Sequence, residues 1–339
     1  MSTESAREPR PWRAIAWRVG LAAVVVAGLA GWLLAQGATG DFVEALATTD
    51  PVMVLLAMAV YPFITVSRAQ RFRVALRLMA RGGAPIPEAS LWTLVRVAAF
   101  HSVLASLAPM RLGELSLVPL LHRMAGAPMT AGSALLILLR MIDLLVVLSA
   151  GLVALALLPG ARAAVPEAAP IAGAVVLALL GGFAVAPPVA RRLAGLTPFG
   201  GGRLGRLWQA LMEAMASQTP GRVLIQMAWT AVIWAQIFLM AWLCANATPA
   251  VVGLAGGVAG GCATALASVL PVSTFANVGT FEAAWMLALV PAGLSQAEAL
   301  ATGIVFHVAG LAGSLAFGLL ALVGGRPVGF RRADVTVSR

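Results

Sequence analysis

Long apolar segments alternate with short polar segments along most of the chain, from about residue 15 to residue 323. A membrane-spanning helix needs roughly 20 apolar residues to cross the hydrocarbon core of a bilayer. The segments long enough to span are residues 15–36, 51–66, 129–158, 171–189, 223–243 and 298–323. Residues 68–79 and 204–215 mix apolar and basic positions with a helical period, which is typical of helices lying at a membrane surface. The pattern predicts an all-α polytopic membrane protein.

Two further apolar segments are interrupted by a proline and then by a glycine followed by a glutamate. The first covers residues 89–121 and breaks at residues 109–114, leaving a second piece that is too short to span. The second covers residues 251–290 and breaks at residues 271–282. Basic residues flank both ends of the first unit, so we expect it to enter and leave from the cytoplasmic side. The second is expected to enter and leave from outside. Both units are therefore predicted to be re-entrant hairpins.

The two halves of the chain show the same order of elements in opposite directions. A span, a broken unit and another span occupy about residues 51–158, and a second such set occupies about residues 223–323. Inverted-topology repeats with broken helices in corresponding positions indicate a transporter whose site lies near the bilayer midplane, although a channel or a scramblase can share the pattern. We expect one transmembrane domain over residues 1–339, with cytoplasmic tails at residues 1–14 and 327–339.

Composition and charge support this assignment. Sixty per cent of the 339 residues are hydrophobic and 11% are charged, and the mean hydropathy is +0.93, which excludes an ordinary soluble domain. The net charge of +10 comes from arginines that cluster at the ends of apolar segments, as the positive-inside rule describes. We therefore expect both termini in the cytoplasm and no nucleic-acid partner. No motif for a metal or another cofactor is present, and Cys244 and Cys262 are interpreted as packing residues.

Ionisable residues inside predicted membrane segments are the candidates for chemistry, because burying a charge in lipid is costly. The candidate substrate-binding residues are Arg111, Glu114, Arg140, Asp143, Asn277, Gly279 and Glu282. Arg111 and Arg140 together would form a fork that binds a phosphate group. The alternative is that arginines and acids only neutralise each other, with Arg140 and Asp143 pairing locally at a spacing of three residues.

The remaining candidates leave similar alternatives open. Glu114 and Glu282 occupy corresponding places in the two breaks, and a poorly solvated carboxyl there is a candidate proton-coupling group. Asn277 would hydrogen-bond a headgroup or satisfy backbone groups freed by the break. The basic cluster at residues 68–81 would either fix the topology or recognise lipid headgroups.

At the two breaks the chain resembles the lysylphosphatidylglycerol synthetase transmembrane-region family, whose members are also called flippase-like proteins. The matching features are the sequence PMRLGE at residues 109–114, Arg140 with Asp143, and Pro271 followed by NVGTFE at residues 277–282. The resemblance covers essentially the whole chain. It implies a stand-alone flippase-like transporter of a phospholipid, hopanoid or polyprenyl-linked headgroup in the inner membrane of a bacterium. Some relatives carry a soluble aminoacyl transferase; no residue follows Arg339 to form one, so we expect no enzyme activity.

Two other functions remain as alternatives. A membrane-embedded lipid-modifying enzyme would need a general acid or base, for which His101 or His122 are the available side chains. A non-transporting assembly subunit of an envelope-lipid pathway would need neither. The expected partner is a membrane lipid or lipid-linked headgroup, and a homo-oligomer is left open.

Overall fold

The structure, a computed structural model, describes most of the chain between residues 39 and 323. The described residues are 27–28, 31, 39–81, 86–108, 112–158, 160, 166–196, 198–200, 202–268 and 275–323. Within these ranges the chain is helical and contains no β-strand. The predicted span at residues 15–36 lies almost wholly outside the described residues, as do Arg111, Pro271 and both predicted tails.

Twelve α-helices and one 3₁₀ turn make up the described part of the chain. They are α1 (Thr39–Ala47), α2 (Pro51–Arg81), α3 (Leu91–Leu107), α4 (Leu112–Leu115), α5 (Leu117–Ala125), α6 (Met129–Leu157), α7 (Ala168–Leu193), α8 (Arg203–Ala216), α9 (Pro220–Ala245), α10 (Leu254–Ala267), the 3₁₀ turn Phe275–Asn277, α11 (Thr280–Leu289) and α12 (Gln296–Val323).

Five of the described helices, namely α2, α6, α7, α9 and α12, are long and apolar enough to cross a membrane. Each corresponds to a span predicted from the sequence. The α6 helix would be about 43 Å long at 1.5 Å per residue, which exceeds a hydrocarbon core of about 30 Å. The chain is therefore a multi-pass α-helical membrane protein.

Helix α2 differs from the sequence prediction because it continues as one helix through Arg81. The sequence predicts a separate helix at the membrane surface over residues 68–79. Instead Phe72, Leu76 and Met79 are buried and pack in a core formed with α3, α5 and α6. The apolar positions in this stretch face other helices of the protein, which is why they follow a helical period.

The first broken unit consists of α3, α4 and α5, and its chain folds back on α3. A Cβ atom added to Gly113 would lie 1.9 Å from the carbonyl oxygen of Leu104, so only glycine allows this approach. Beyond the turn, His101 Nδ1 lies 3.1 Å from Ser116 Oγ. The break therefore falls at the position predicted from the sequence. Entry and exit on one side of a membrane stay a prediction, as does the repeat relation.

The second broken unit, from α10 to α11, also folds back on itself. A Cβ on Gly260 would lie 2.6 Å from the indole ring of Trp285 in α11, so the two helices are in close contact. Between them Ala276, Asn277 and Gly279 all have positive φ angles, of 52°, 58° and 84°. Left-handed backbone is unfavourable for an alanine, and neighbouring side chains hold it there, as described below.

The predicted topology, which starts from a cytoplasmic N-terminus, places two loops outside, at residues 41–50 and residues 245–249. In the structure these two loops lie together at one end of the protein. The Asp50 backbone N–H, at the start of α2, donates to the Ala247 carbonyl oxygen, after the end of α9, over 2.6 Å. Part of the first of these loops, predicted as residues 41–50, forms helix α1. Their common position agrees with the predicted direction of α2 and α9, while the side of the membrane stays a prediction.

Helix α2 links the two larger clusters of buried apolar residues. Its residues from Ala69 to Met79 pack with α3, α5 and α6, and those from Ala57 to Ile64 pack with α9, α11 and α12. The first cluster includes residues of α3 and α5 from the first broken unit, and the second includes residues of α11 from the second. Arg68 and Arg71 of α2, near the boundary of the two clusters, line the cavity that contains the candidate site.

Candidate functional site

A cavity of about 390 Å³ lies between the two broken units. Ala108 and Glu114, beside the first break, and Ser268 and Asn277, beside the second, line it together with side chains from α2, α3, α6, α9, α10 and α12. The two breaks therefore share one polar environment, as expected from their need for partners other than lipid.

Five charged side chains line this cavity among the described residues: Arg68, Arg71 and Arg140 against Glu114 and Asp143. The described lining thus carries one more positive than negative formal charge. At 1.5 Å per residue, Arg68 lies roughly 25 Å and 20 Å from the two ends of α2, and Arg140 roughly 16 Å and 26 Å from those of α6. The charges are therefore far from both ends of the spanning helices.

Arg71 and Asp143 form a buried, two-point ion pair between α2 and α6. Arg71 Nη1 binds Asp143 Oδ1, and Arg71 Nη2 donates to Asp143 Oδ2 over 3.3 Å. Thr230 Oγ1 accepts a further bond from Arg71 Nη1 at 3.1 Å, and Trp234 Nε1 lies 3.4 Å from Asp143 Oδ1. The side chains are only 7% and 10% exposed. Because most of their donors and acceptors are satisfied within the protein, this pair forms a fixed wall of the cavity.

Arg140 is held differently, at the mouth of the cavity. Its Nε lies 3.1 Å from Glu114 Oε2, and its Nη1 lies 3.5 Å from Asp143 Oδ2. The Arg140 side chain nevertheless remains 39% exposed. The predicted local contact between Arg140 and Asp143 therefore exists, but Arg71 makes the closer contact with Asp143. Arg140 keeps N–H groups that face open space.

Arg68 is the cavity arginine without a carboxylate partner among the described residues. Its Nη1 donates to Ser102 Oγ of α3 over 2.8 Å, and none of the ion pairs between described residues includes it. A guanidinium group carries five N–H donors in a planar fork. Arg68 and Arg140 therefore together present donors to the cavity that a bound anion would accept.

Asn277 and Phe281 bring the second break to the cavity wall, whereas Gly279 and Glu282 do not line it. The Glu282 carboxylate is buried, with Oε2 accepting from the Gly279 N–H at 2.6 Å. Its Oε1 lies 2.6 Å from Nδ1 of His307 in α12. These contacts fix the start of α11, so their direct effect is on the shape of the break.

His307 bridges the second break from α12. Its Nε2 lies 2.8 Å from the carbonyl oxygen of Ala276, the left-handed residue, and its ring stacks on Phe281 with centroids 4.4 Å apart. A carbonyl oxygen only accepts, so Nε2 carries a proton. Together with the Nδ1–Glu282 contact, this bond connects α12 to both sides of the second break.

The structure brings together Glu114, Arg140, Asp143 and Asn277 from the predicted set, and Arg111 lies outside the described residues. Sequence reasoning missed Arg68 and Arg71 as cavity residues because it assigned them to a surface cluster. The available signal was their spacing of three residues, directly after an apolar span and with no glycine or proline to end the helix.

A comparison with protein families gives one match that covers most of the chain. The family model described as Lysylphosphatidylglycerol synthase TM region matches residues 19–318. No curated protein sequence matches the chain. Within the described ranges, His, Cys, Asp and Glu side chains form no group of three or more that could hold a metal ion.

Proposed function

Because the chain belongs to the lysylphosphatidylglycerol synthase transmembrane-region family, we propose that it moves an anionic phospholipid across the membrane through the arginine-lined cavity. Family membership and the multi-pass helical fold fit a lipid-related function in the membrane. The transport step, the anionic substrate and the inner membrane as its location belong to the proposal. So do cytoplasmic termini and the absence of covalent chemistry on the lipid.

The observation that carries the proposal is the pair of arginines that present donors to the cavity, Arg68 and Arg140. An unpaired phosphate in a medium of low dielectric costs tens of kcal/mol by the Born estimate, so it needs compensating charge to cross. Arginine meets a phosphate with two parallel, charge-assisted hydrogen bonds. Arg68 has no carboxylate partner among the described residues. The phosphate of a bound lipid would supply the missing anionic partner.

The size of the cavity supports a headgroup as the ligand. Its volume of about 390 Å³ lies within the range of roughly 300–1,000 Å³ that is usual for small-molecule pockets. Two long acyl chains gain nothing by leaving lipid for a polar cavity, because each buried methylene is worth about 0.8 kcal/mol in an apolar environment. We therefore place the headgroup in the cavity and the chains in the bilayer.

The proposed moving parts are the two halves that contain the broken units. In the proposal, residues 51–158 and residues 223–323 form inverted repeats that rock around the bound headgroup, as in other transporters with broken helices. The Arg71–Asp143 pair joins α2 to α6 within the first of these segments. It would hold that segment together while the cavity opens to one side and then the other.

Reconstitution into liposomes tests this function directly. Purified protein is placed in vesicles that contain phosphatidylglycerol with a fluorescent acyl chain, and an impermeant reductant reports the fraction reaching the outer leaflet. We expect the wild-type protein to speed this movement, with or without an imposed proton gradient. Arg68→Gln and Arg140→Gln should abolish it while folded yield stays near that of the wild type, since an amide cannot form the charge-assisted fork.

Arg77→Gln is the matched control, because Arg77 lies on the same helix as Arg68 but pairs with Glu88 at the surface. It should transport at the wild-type rate. Full transport by well-folded Arg68→Gln and Arg140→Gln proteins would overturn the assignment of the site. A wild-type protein that moves no lipid would favour an assembly subunit, and a change in lipid mass during the assay would indicate an enzyme.

A further inference from the structure

A second opening, of about 410 Å³, lies against the Arg140–Glu114 contact. We call it the lateral groove, and define it by Glu114, Leu115, Leu136, Ile137, Arg140, Met141 and Leu144. Apart from Arg140 and Glu114 its lining is apolar. Met141 and Leu144 of the spanning helix α6 are 37% and 41% exposed, and Leu115 of the short helix α4 is 59% exposed.

The lateral groove continues into the arginine-lined cavity. Glu114, Leu136, Arg140 and Leu144 line both spaces. Ile137, Met141 and Leu144 recur at the i, i+4 and i+7 positions of α6, so they form one stripe along the helix. Arg140 lies beside this stripe, so a charged side chain and apolar side chains meet on one face of α6.

We propose that the lateral groove binds an acyl chain of the lipid whose phosphate is held by Arg68 and Arg140. This inference rests on the proposed function, because it takes the headgroup to lie in the cavity. The occupant is an anionic glycerophospholipid, for two reasons: the described lining of the cavity carries one more positive than negative charge, and the groove that leads out of it is apolar beyond Arg140 and Glu114. A free phosphate would use the cavity alone, and a neutral lipid would use neither arginine.

The Arg140–Glu114 contact lies where the two spaces meet. A lipid that enters sideways from the bilayer passes this contact with its headgroup first, and its phosphate competes with Glu114 for the Arg140 guanidinium. Arg140 is partly exposed while Asp143 behind it is not. Arg140 is therefore the first cation that an entering phosphate would meet, and Arg68 lies deeper.

Photo-crosslinking tests the groove without relying on transport. The probes are phosphatidylglycerol and diacylglycerol that carry the same diazirine acyl chain, each incorporated into nanodiscs with the whole protein. Both probes contact the protein's outer surface as bulk lipid. Only the charged probe should give additional labelling at Leu115 and Met141, and excess unlabelled phosphatidylglycerol should remove that addition. Soluble glycerol phosphate, which could occupy the cavity but has no chain for the groove, should need a far higher concentration than phosphatidylglycerol to remove the same labelling.

Two variants complete the test. Arg140→Gln should reduce labelling of the groove by the charged probe to the level of diacylglycerol. Met141→Trp should fill the groove and remove the same labelling. Leu155→Trp is its matched control, since Leu155 lies three turns beyond Leu144 on α6, is 46% exposed and lines neither space. Leu155→Trp should leave the additional labelling unchanged.

The outcomes separate the groove from the proposed function. If the wild-type protein transports phosphatidylglycerol but both probes label the groove equally in all variants, the groove proposal is wrong and the function stands. If charge-dependent labelling is found but transport is not, the lipid site stands and the transport proposal is wrong. Labelling by the charged probe that survives Arg140→Gln and Met141→Trp would also overturn the groove.

Discussion

Replacing Asp143 with asparagine should destabilise the protein strongly, because it removes the charge that neutralises buried Arg71. Arg71 and Asp143 bind through two pairs of atoms, and their side chains are 7% and 10% exposed. With a neutral amide in place of the carboxylate, the guanidinium keeps Thr230 as an uncharged acceptor but loses its counter-charge. Solvent cannot replace that charge at this depth.

The expected cost follows from the burial of the pair. Removing one partner of a buried ion pair costs about 3–5 kcal/mol, because the remaining charge is left uncompensated. Almost no discount for solvent screening applies when both side chains are this inaccessible. Removing both charges costs less, so Arg71→Met combined with Asp143→Asn should be more stable than Asp143→Asn alone. A loss of this size is a large share of the roughly 5–15 kcal/mol that stabilises a typical native protein.

A double-mutant cycle measures the effect. The free energy of unfolding in mixed micelles is compared for the wild-type protein, Asp143→Asn, Arg71→Met and the double variant. Arg77→Gln is the control, since it breaks an exposed ion pair and should leave the unfolding midpoint unchanged. If Asp143→Asn unfolds at the wild-type midpoint, or if the double variant is the least stable of the four, the pair does not stabilise the protein as argued.

Three further predictions concern parts of the structure away from the cavity. Gly260→Val should destabilise the protein by about 1–3 kcal/mol by overpacking, since a Cβ there would lie 2.6 Å from Trp285. An unfolding midpoint no lower than that of the wild type would contradict the close packing. Thr302→Val removes the acceptor of the buried Trp285 Nε1–H, 3.0 Å away, and should cost about 1–3 kcal/mol, measured by the same unfolding assay. A hydrogen bond from Arg77 lowers the pKa of Glu88 from its usual value. This ion pair is therefore fully present above the pKa of the unfolded carboxyl, and it is lost as pH falls through the lowered pKa of the folded protein. Arg77→Gln should raise the pKa of Glu88 in an NMR titration, and an unchanged pKa would contradict the contact.

The spanning helices could be predicted from the sequence where lipid is the main neighbour. The span predicted at residues 129–158 is helix α6, Met129–Leu157, and the span predicted at residues 223–243 is helix α9, Pro220–Ala245. In both cases an apolar run of sufficient length lies between polar ends, and the hydrocarbon thickness fixes the length. The helix breaks were also predictable, because proline and glycine act through local backbone geometry.

The end of helix α2 could not be predicted by the same rule. Hydropathy ends the span near residue 66 because Arg68 and Arg71 follow, and the positive-inside rule explains arginines at that point equally well. In the structure these two arginines face a cavity inside the protein, so the helix continues to Arg81. Sequence alone does not show whether a charge next to an apolar run faces water outside or a cavity inside.

The surroundings of Glu282 show a second limit. Its place in the break was predictable, but its contact with His307 joins residues that are 25 positions apart, on two different helices. A tertiary contact of this kind leaves no periodic or compositional signal in one sequence. Binding of substrate by Gly279 and Glu282 stays a prediction, and the structure adds a local role in shaping the second break.

A structure of the protein determined in nanodiscs that contain phosphatidylglycerol would test the central claim most directly. We predict a phosphate within hydrogen-bonding distance of both Arg68 and Arg140, with an acyl chain leaving past Met141 into the bilayer. A cavity that holds only water, with every ordered phospholipid seated on the outer surface away from these arginines, would contradict it.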